Sequence, residues 1–141
     1  MSHARQVSVI SYESAAGLVA HAVAHARANG WEVAVVVVDP FGHTVASGRM
    51  DGVPVPIMDY ASDKAFTAAT QGKTTRAFFE RMSRSPDDAM GLANRDRLCV
   101  WEGGVPVRAD GKVIGGIGVS GAAGKDDVAC AEQALAAVGL S

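Results

Sequence analysis

Apolar residues recur at helical spacing near the start of the chain. From Ala15 to Ala26 they stand three or four positions apart, as on one face of an α-helix. Ser11 is a suitable N-terminal cap, and Gly30 is a suitable left-handed stop. The pattern therefore predicts a helix that begins after Ser11 and ends near Asn29.

Two later segments have the pattern of β-hairpins. The run VAVVVV at 33–38 is apolar at every position, which predicts a central strand that is buried on both faces. Turn residues follow it at 39–42, and a second strand is predicted over 43–49. Asp110-Gly111 predicts a tight turn that joins strands over 105–108 and 112–120.

The other segments complete an α+β pattern. An α-β-β-α-α-β-β-α order with two hairpins predicts a single domain, 1–141, in which helices flank an antiparallel sheet. The segments are a loop over 50–57, helices over 59–71 and 74–82, an irregular stretch over 83–96, a strand over 98–102 before a Gly103-Gly104 bend, and a closing helix from Asp126 to about Gly139.

The stretch GGIGVSG at 115–121 has the glycine spacing of a dinucleotide-binding turn. That interpretation requires the first strand of a βαβ unit and an acidic residue about 20 positions further on. Here the preceding strand is the second arm of a predicted hairpin, and the 20 residues after Gly121 are predicted to be mostly helix. A phosphate-binding loop is also excluded, because Gly124-Lys125 is followed by Asp126 instead of Ser or Thr. The glycines must serve another purpose.

Strand alternation suggests that purpose. Gly116, Gly118 and Ser120 fall on one face with Ile114, and this face carries almost no side chains, whereas the opposite face carries Val113, Gly115, Ile117 and Val119. Repeated glycine in a strand indicates that something lies close to the backbone. We expect a flat ligand, a neighbouring subunit or a helix of the same chain.

Composition and charge exclude several function classes. Apolar residues make up 48% of the 141 residues and the net charge is −2, which is typical of a globular protein and gives no basic footprint for nucleic acid. The sequence contains no apolar run long enough for a membrane segment or a secretion signal, so a cytoplasmic location is expected. Cys99 and Cys130 are isolated and are interpreted as buried packing residues, Cys99 together with Trp101.

Lys64 is the leading candidate for chemistry. It lies at the edge of an apolar helical stripe, with no acidic residue three or four positions away. It therefore needs an anionic partner from elsewhere in the chain or from a ligand, and it is also a candidate general base. The structural alternative is an ion pair with an aspartate such as Asp39 or Asp51.

Three other features are weaker candidates. The guanidinium of Arg49 suits a carboxylate, either of a ligand or of Asp51. The hydroxyl of Ser120, with nearby backbone amides, suits a carboxylate or an oxyanion. His21 and His25 stand four apart, but no third ligand is near, so no metal site is predicted.

Several ordered motifs resemble one known family over nearly the whole chain. They are VDPFG at 38–42, RMDG at 49–52, AxxKAxTA at 61–68, GGVP at 103–106, GKVIGGIGVSG at 111–121 and Asp126-Asp127. They resemble the GlcG/HbpS-like family, which is also seen as the C-terminal domain of PduO-type proteins and is often labelled haem-degrading. The resemblance implies a profilin-like fold with a five-stranded antiparallel sheet flanked by helices, in a homo-oligomer built from dimers. Some members bind haem or a corrinoid, and no iron-binding His or Cys can be matched to this chain.

Two functional hypotheses follow. The first is a cytoplasmic small-ligand-binding protein whose ligand is planar or anionic, with haem or another tetrapyrrole as candidate. The second is a cofactor-independent enzyme acting on a small carboxylic or aromatic-derived acid, with Lys64 as base, Ser120 at the oxyanion and Arg49 as carboxylate anchor. A purely structural subunit would leave Lys64 unexplained. The predicted ligand-binding residues are Arg49, Asp51, Lys64, Thr67, Gly104, Pro106, Gly116, Gly118, Ser120 and Gly121.

Overall fold

The strands form one antiparallel sheet that lies between two layers of helices. A computed structural model describes residues 2–141. Its elements are α1 (Tyr12–Ala28), β1 (Ala34–Val38), β2 (Thr44–Arg49), α2 (Val55–Gln71), α3 (Thr75–Met82), α4 (Pro86–Ala93), β3 (Gly104–Ala109), β4 (Lys112–Ser120) and α5 (Gly124–Val138).

The sheet has the strand order β2-β1-β4-β3, so the all-apolar β1 lies inside it, as predicted. Alternate β1 residues enter different cores. Val35 and Val37 pack with α1 and α5, whereas Val36 and Val38 pack with α2. Burial on both faces explains why every position of β1 is apolar.

The first helix matches its prediction closely. The Ser11 side chain accepts a hydrogen bond from the backbone N–H of Ser14, and α1 ends at Ala28. Gly30 then adopts a left-handed conformation with φ of 74°. The predicted hairpins are confirmed as well, since β1 pairs with β2 and β3 pairs with β4, both antiparallel.

Within residues 2–141 the sheet has four strands, so the five strands predicted for it are not found. The segment 98–102 does not form a strand. The hydroxyl of Thr67 donates to the carbonyl oxygen of Arg97 and accepts from the backbone N–H of Cys99. Backbone groups that a strand would pair with a neighbour are thus bonded to a helix side chain. Trp101 is 57% exposed, so its predicted inward packing is also wrong.

Two helical predictions need correction. Residues 83–96, predicted to be irregular, contain α4, whose first turn holds Pro86, Asp87 and Asp88. These residue types favour a helix start, because proline needs no N–H partner there and carboxylates interact well with the helix dipole. Helix α2 begins at Val55, inside the predicted loop. No helix within residues 2–141 is both long and apolar enough to cross a bilayer.

An irregularity in β4 alters the predicted alternation. Val107 pairs with Gly115 and Arg108 pairs with Val113, which leaves Ile114 as an extra residue in β4. Such a bulge breaks the period of two. Ile114 accordingly packs in the core beneath α1 and α5, not on the face of Gly116 as predicted.

Candidate functional site

Helix α2 covers the bare face of β4. A methyl group at Gly116 would lie 2.6 Å from the carbonyl oxygen of Ala65, and one at Gly118 would lie 2.6 Å from the backbone nitrogen of Ala65. We call Gly116 and Gly118 the glycine strip. Of the occupants expected for it, the structure shows a helix of the same chain.

Three more predicted ligand-binding residues are enclosed between α2 and its neighbours, Gly104 and Pro106 on β3 and Thr67 on α2 itself. A methyl group at Gly104 would lie 2.5 Å from the carbonyl oxygen of Lys64. Pro106 is buried opposite Gly116 in the β3–β4 ladder. Thr67 is fully buried, and its hydroxyl is engaged by the segment 97–99. A ligand contact with any of them would require α2 to move.

Lys64 does have an acidic partner within the chain. Its Nζ lies 3.3 Å from Oδ2 of Asp127, and each of the two side chains is only 3% exposed. The ammonium also donates to the carbonyl oxygen of Val119 at 2.9 Å and to Oγ of Ser120 at 3.3 Å. The partners named from sequence, Asp39 and Asp51, are wrong.

Asp127 lies in the first turn of α5, on the opposite side of the sheet from α2. Its Oδ1 accepts the backbone N–H of Ala122 at 3.0 Å. Burial raises the pKa of this carboxyl to about 6, although the Lys64 charge and the Ala122 N–H act to lower it. The buried ion pair thus connects the two helical layers around the end of β4.

Lys64, Ser120 and Asp127 form the floor of a cleft of about 630 Å³, the Lys64 cleft. Its walls come from several elements and carry both apolar and charged groups. The other lining residues are Ile57, Arg76, Phe79, Val100, Trp101, Glu102, Gly121, Ala122 and Gly124. Lys64, Ser120 and Gly121 are therefore the predicted site residues that the fold brings together.

An apolar depression of about 490 Å³ adjoins the Lys64 cleft and shares Phe79, Val100 and Trp101 with it. The ring of Tyr60 packs edge-on against Trp101, with centroids 5.0 Å apart. We call Tyr60, Phe79 and Trp101 the aromatic ridge. All three side chains are at least 36% exposed. The remaining walls of the depression are Asp63, Met82, Ser83, Ala89, Leu92, Ala93, Arg95, Leu98 and Cys99.

Arg49 and Asp51 lie elsewhere. They line a separate depression together with Arg27, Trp31 and Glu32. The Arg49 guanidinium donates to the carbonyl oxygen of Val53, and no ion pair joins Arg49 to Asp51 within residues 2–141. Neither residue lines the Lys64 cleft.

Metal-binding geometry is absent from the described part of the chain. Within residues 2–141, no three or more His, Cys, Asp or Glu side chains are grouped closely enough to hold a metal ion. His21 is exposed and His25 is half-buried on the outer side of α1.

Sequence reasoning missed Asp127, Phe79 and Trp101 as site residues. Asp127 stands 63 positions from Lys64 in the sequence. An acidic residue in the first turn of a helix is already accounted for by the helix dipole, so nothing in the sequence marked Asp127 as a partner of Lys64. Trp101 fell in a segment that was predicted to be a strand. The usable signal was the unpaired lysine, since a buried cation requires a buried anion somewhere.

Residues 10–136 match the family described as haem degrading protein HbpS-like. The chain belongs to this family. The sequence-based resemblance to the GlcG/HbpS-like family is therefore confirmed. Among curated relatives, Protein GlcG of Escherichia coli (strain K12) is 35% identical over 113 residues, which cover 79% of this chain and 81% of GlcG.

Two solved structures share the architecture. A double mutant of HbpS from Streptomyces reticuli superposes with a TM-score of 0.88 at 32% identity, covering 97% of this chain and 92% of that one. The haem complex of PduOC superposes with a TM-score of 0.85 over 94% and 97% of the two chains. Its identity is 24%, so this second likeness shows the fold alone.

Proposed function

We propose that this protein binds a planar small molecule with anionic groups. The ligand would lie on the aromatic ridge, between the Lys64 cleft and the apolar depression. The exposed ridge carries this proposal. Phe79 and Trp101 line both the Lys64 cleft and the apolar depression. A flat ligand on these two rings would therefore contact the apolar walls of the depression on one side and the cations Lys64 and Arg76 of the cleft on the other. Aromatic faces favour stacking with flat rings, and cations favour carboxylates.

Haem is the first candidate ligand. The family description and the haem complex of PduOC support it. A haem needs apolar walls for its macrocycle, cations for its propionates and a donor for its iron. Tyr60, Met82 and Cys99, which line the apolar depression, are side chains of the types that ligate haem iron. The residues present therefore fit the group.

Titration with hemin tests this proposal. We expect a saturable shift of the Soret band and a dissociation constant about tenfold or more higher in Trp101→Ala, since loss of a central aromatic contact typically costs about 2 kcal/mol. The matched control is Phe41→Ala, because Phe41 is 53% exposed but lies at the β1–β2 turn. A non-saturable change, or equal weakening in both variants, would count against the proposal.

A second candidate is an enzyme acting on a small carboxylic or aromatic-derived acid. The buried Lys64–Asp127 pair beside Ser120 favours it, because paired titratable groups in a cleft are frequent catalytic groups. Lys64 donates three hydrogen bonds, so as a base it would first transfer a proton, for which Asp127 is the adjacent acceptor. Arg49 as carboxylate anchor would require a ligand that spans two depressions.

The enzyme proposal is tested by turnover of such acids by Lys64→Met. Loss of turnover with an unchanged oligomer supports a catalytic Lys64, whereas unchanged turnover removes Lys64 from the mechanism. Lys125→Met is the control, because Lys125 is an exposed lysine in the first turn of α5, the end of the helix that borders the cleft.

We also propose that the protein is cytoplasmic and that it self-associates into a homo-oligomer built from dimers. Strand β2 supports self-association, since it is an edge strand with a free row of backbone groups that a second copy could pair. Light scattering coupled to size-exclusion chromatography measures the assembly. A monomer at all concentrations would overturn this part.

A further inference from the structure

The charges that line the Lys64 cleft balance. Two cations, Lys64 and Arg76, face two carboxylates, Asp127 and Glu102. Lys64 lies 3.3 Å from Asp127, and Arg76 lies 3.9 Å from Glu102. Arg76 also lies 3.2 Å from Glu80, a carboxylate outside the cleft lining, so no cation of the cleft lacks an anionic partner. A carboxylate that enters from solvent would therefore leave one uncompensated negative charge in a partly buried site, which is costly.

Lys64 and Ser120 are the groups that an entering carboxylate would meet. The Ser120 hydroxyl accepts a hydrogen bond from Lys64, and within residues 2–141 this hydroxyl donates none. Its hydroxyl hydrogen is thus available to an acceptor in the cleft. Gly124 brings the N-terminal turn of α5 to the same wall, and this end of a helix favours anions.

Asp127 is the group that can restore the balance. Its burial costs the ionised carboxylate more than the neutral acid, and the pKa is already raised to about 6. The groups that face or influence it are Lys64 from α2, Arg76 from α3, Glu102 from the turn before β3, and Asp126 and Cys130 from α5. Strand β4 contributes the uncharged Ser120 and the carbonyl of Val119.

We infer that the Lys64 cleft is a proton-linked carboxylate site, in which one carboxylate of the ligand replaces Asp127 as partner of Lys64 while Asp127 takes up one proton. The inference rests on the proposed function, because it specifies how an anionic ligand is held. No bond to carbon forms or breaks. The proton comes from solvent and remains on Asp127 until the ligand leaves.

The sign of the pH dependence follows directly. Ligand binding favours protonated Asp127, so affinity rises as pH falls through about 6 and declines by about tenfold per pH unit well above it. Asp127→Asn is permanently neutral, so its affinity is high and flat across the same range. Asp126→Asn is the matched control and keeps the slope, because Asp126 neither lines the cleft nor pairs with Lys64.

Benzoate is a suitable probe, since it is planar and carries one carboxylate, and benzamide is its neutral counterpart. We expect amide NMR shifts around Ser120 and Gly121 that saturate with benzoate at pH 5.5 and become much weaker at pH 8. Calorimetry at pH 7 in two buffers of different ionisation enthalpy should report uptake of about one proton per benzoate. This second measurement needs no variant, so it holds even if Asp127→Asn does not fold.

The outcomes separate the two levels of proposal. Benzoate binding without pH dependence or proton uptake, or equal affinity for benzamide, overturns the inference. Saturable hemin binding in the same preparation would then leave the proposed function intact. Absence of binding by both hemin and benzoate contradicts both.

Discussion

Two parts of β4 lie on the same face of the sheet and have opposite surroundings. At Gly116 and Gly118 the backbone of α2 presses directly on the strand, and no room remains for a side chain. At Ser120, two residues beyond Gly118, α2 no longer covers the strand, and a cleft opens to which the helix contributes Ile57 and the end of Lys64. One stretch of sequence therefore builds both a sealed contact and an open site.

The difference shows what the glycines accomplish. Close approach of α2 requires glycine in the strand and small residues such as Ala61 and Ala65 in the helix. The close contact fixes the position of Lys64 relative to the sheet, so that its Nζ extends past the end of β4 to Asp127. The glycine strip thus positions the cleft without touching its occupant.

The largest predicted effect comes from filling the glycine strip. Gly118→Ala would place a methyl group against the Ala61 carbonyl and the Ala65 nitrogen, so the free energy of unfolding should fall by about 3 kcal/mol or more. Urea unfolding measures it. Gly91→Ala is the control, since a methyl group there meets nothing within 4 Å and helix propensity favours alanine by about 1 kcal/mol. Equal stabilities of the two variants would show that the contact with α2 is loose.

Breaking the ion pair has the next largest effect. Lys64→Met leaves Asp127 without its cation, and at pH 8 the free energy of unfolding should fall by about 3 kcal/mol. Lys125→Met removes an exposed lysine of α5 and should change it by less than about 0.5 kcal/mol. A similar small change in both variants would contradict an energetically important pair.

The cost of Lys64→Met should depend on pH. Without Lys64 the pKa of Asp127 rises further above 6, while the unfolded value stays near about 4. Between these two pKa values the folded variant binds a proton on Asp127 that the unfolded chain does not bind. The free energy of unfolding of the variant therefore falls as pH rises from about 4 through the raised pKa. The variant should accordingly be closer to the wild type at pH 5 than at pH 8. The opposite trend in unfolding experiments would refute this assignment.

A smaller effect is expected from Thr67→Val. This change removes the hydroxyl that binds Arg97 and Cys99, and it should lower the free energy of unfolding by about 2 kcal/mol and loosen the cleft wall near Trp101. Hydrogen exchange at the Cys99 amide measures the loosening directly. Thr70→Val, at an exposed position of the same helix, should leave this exchange rate unchanged.

The smallest effect is expected from Arg49→Ala. Arg49 lines a different depression from Lys64, so the hemin dissociation constant should change by less than about twofold. A larger loss would mean that the ligand extends past Ile57 and Gly121, which line the Lys64 cleft and also a further depression that contains Trp31 and Glu32.

Much of the fold could be predicted because its signals are local. The α1 cap at Ser11, the all-apolar β1 and the Asp110-Gly111 turn each depend on a few neighbouring residues. The segment 98–102 could not be assigned in this way. Its backbone is bonded by Thr67, which lies about 30 positions earlier in another element.

The sequence by itself determined most of the element pattern, the family, and the need for an anion near Lys64. Only the tertiary structure decided that Asp127 is this anion, that α2 lies on the glycine strip, and that Trp101 faces a cleft. The physical reason is that periodicity reports which face of an element is apolar, whereas pairing of buried charges depends on which distant elements meet.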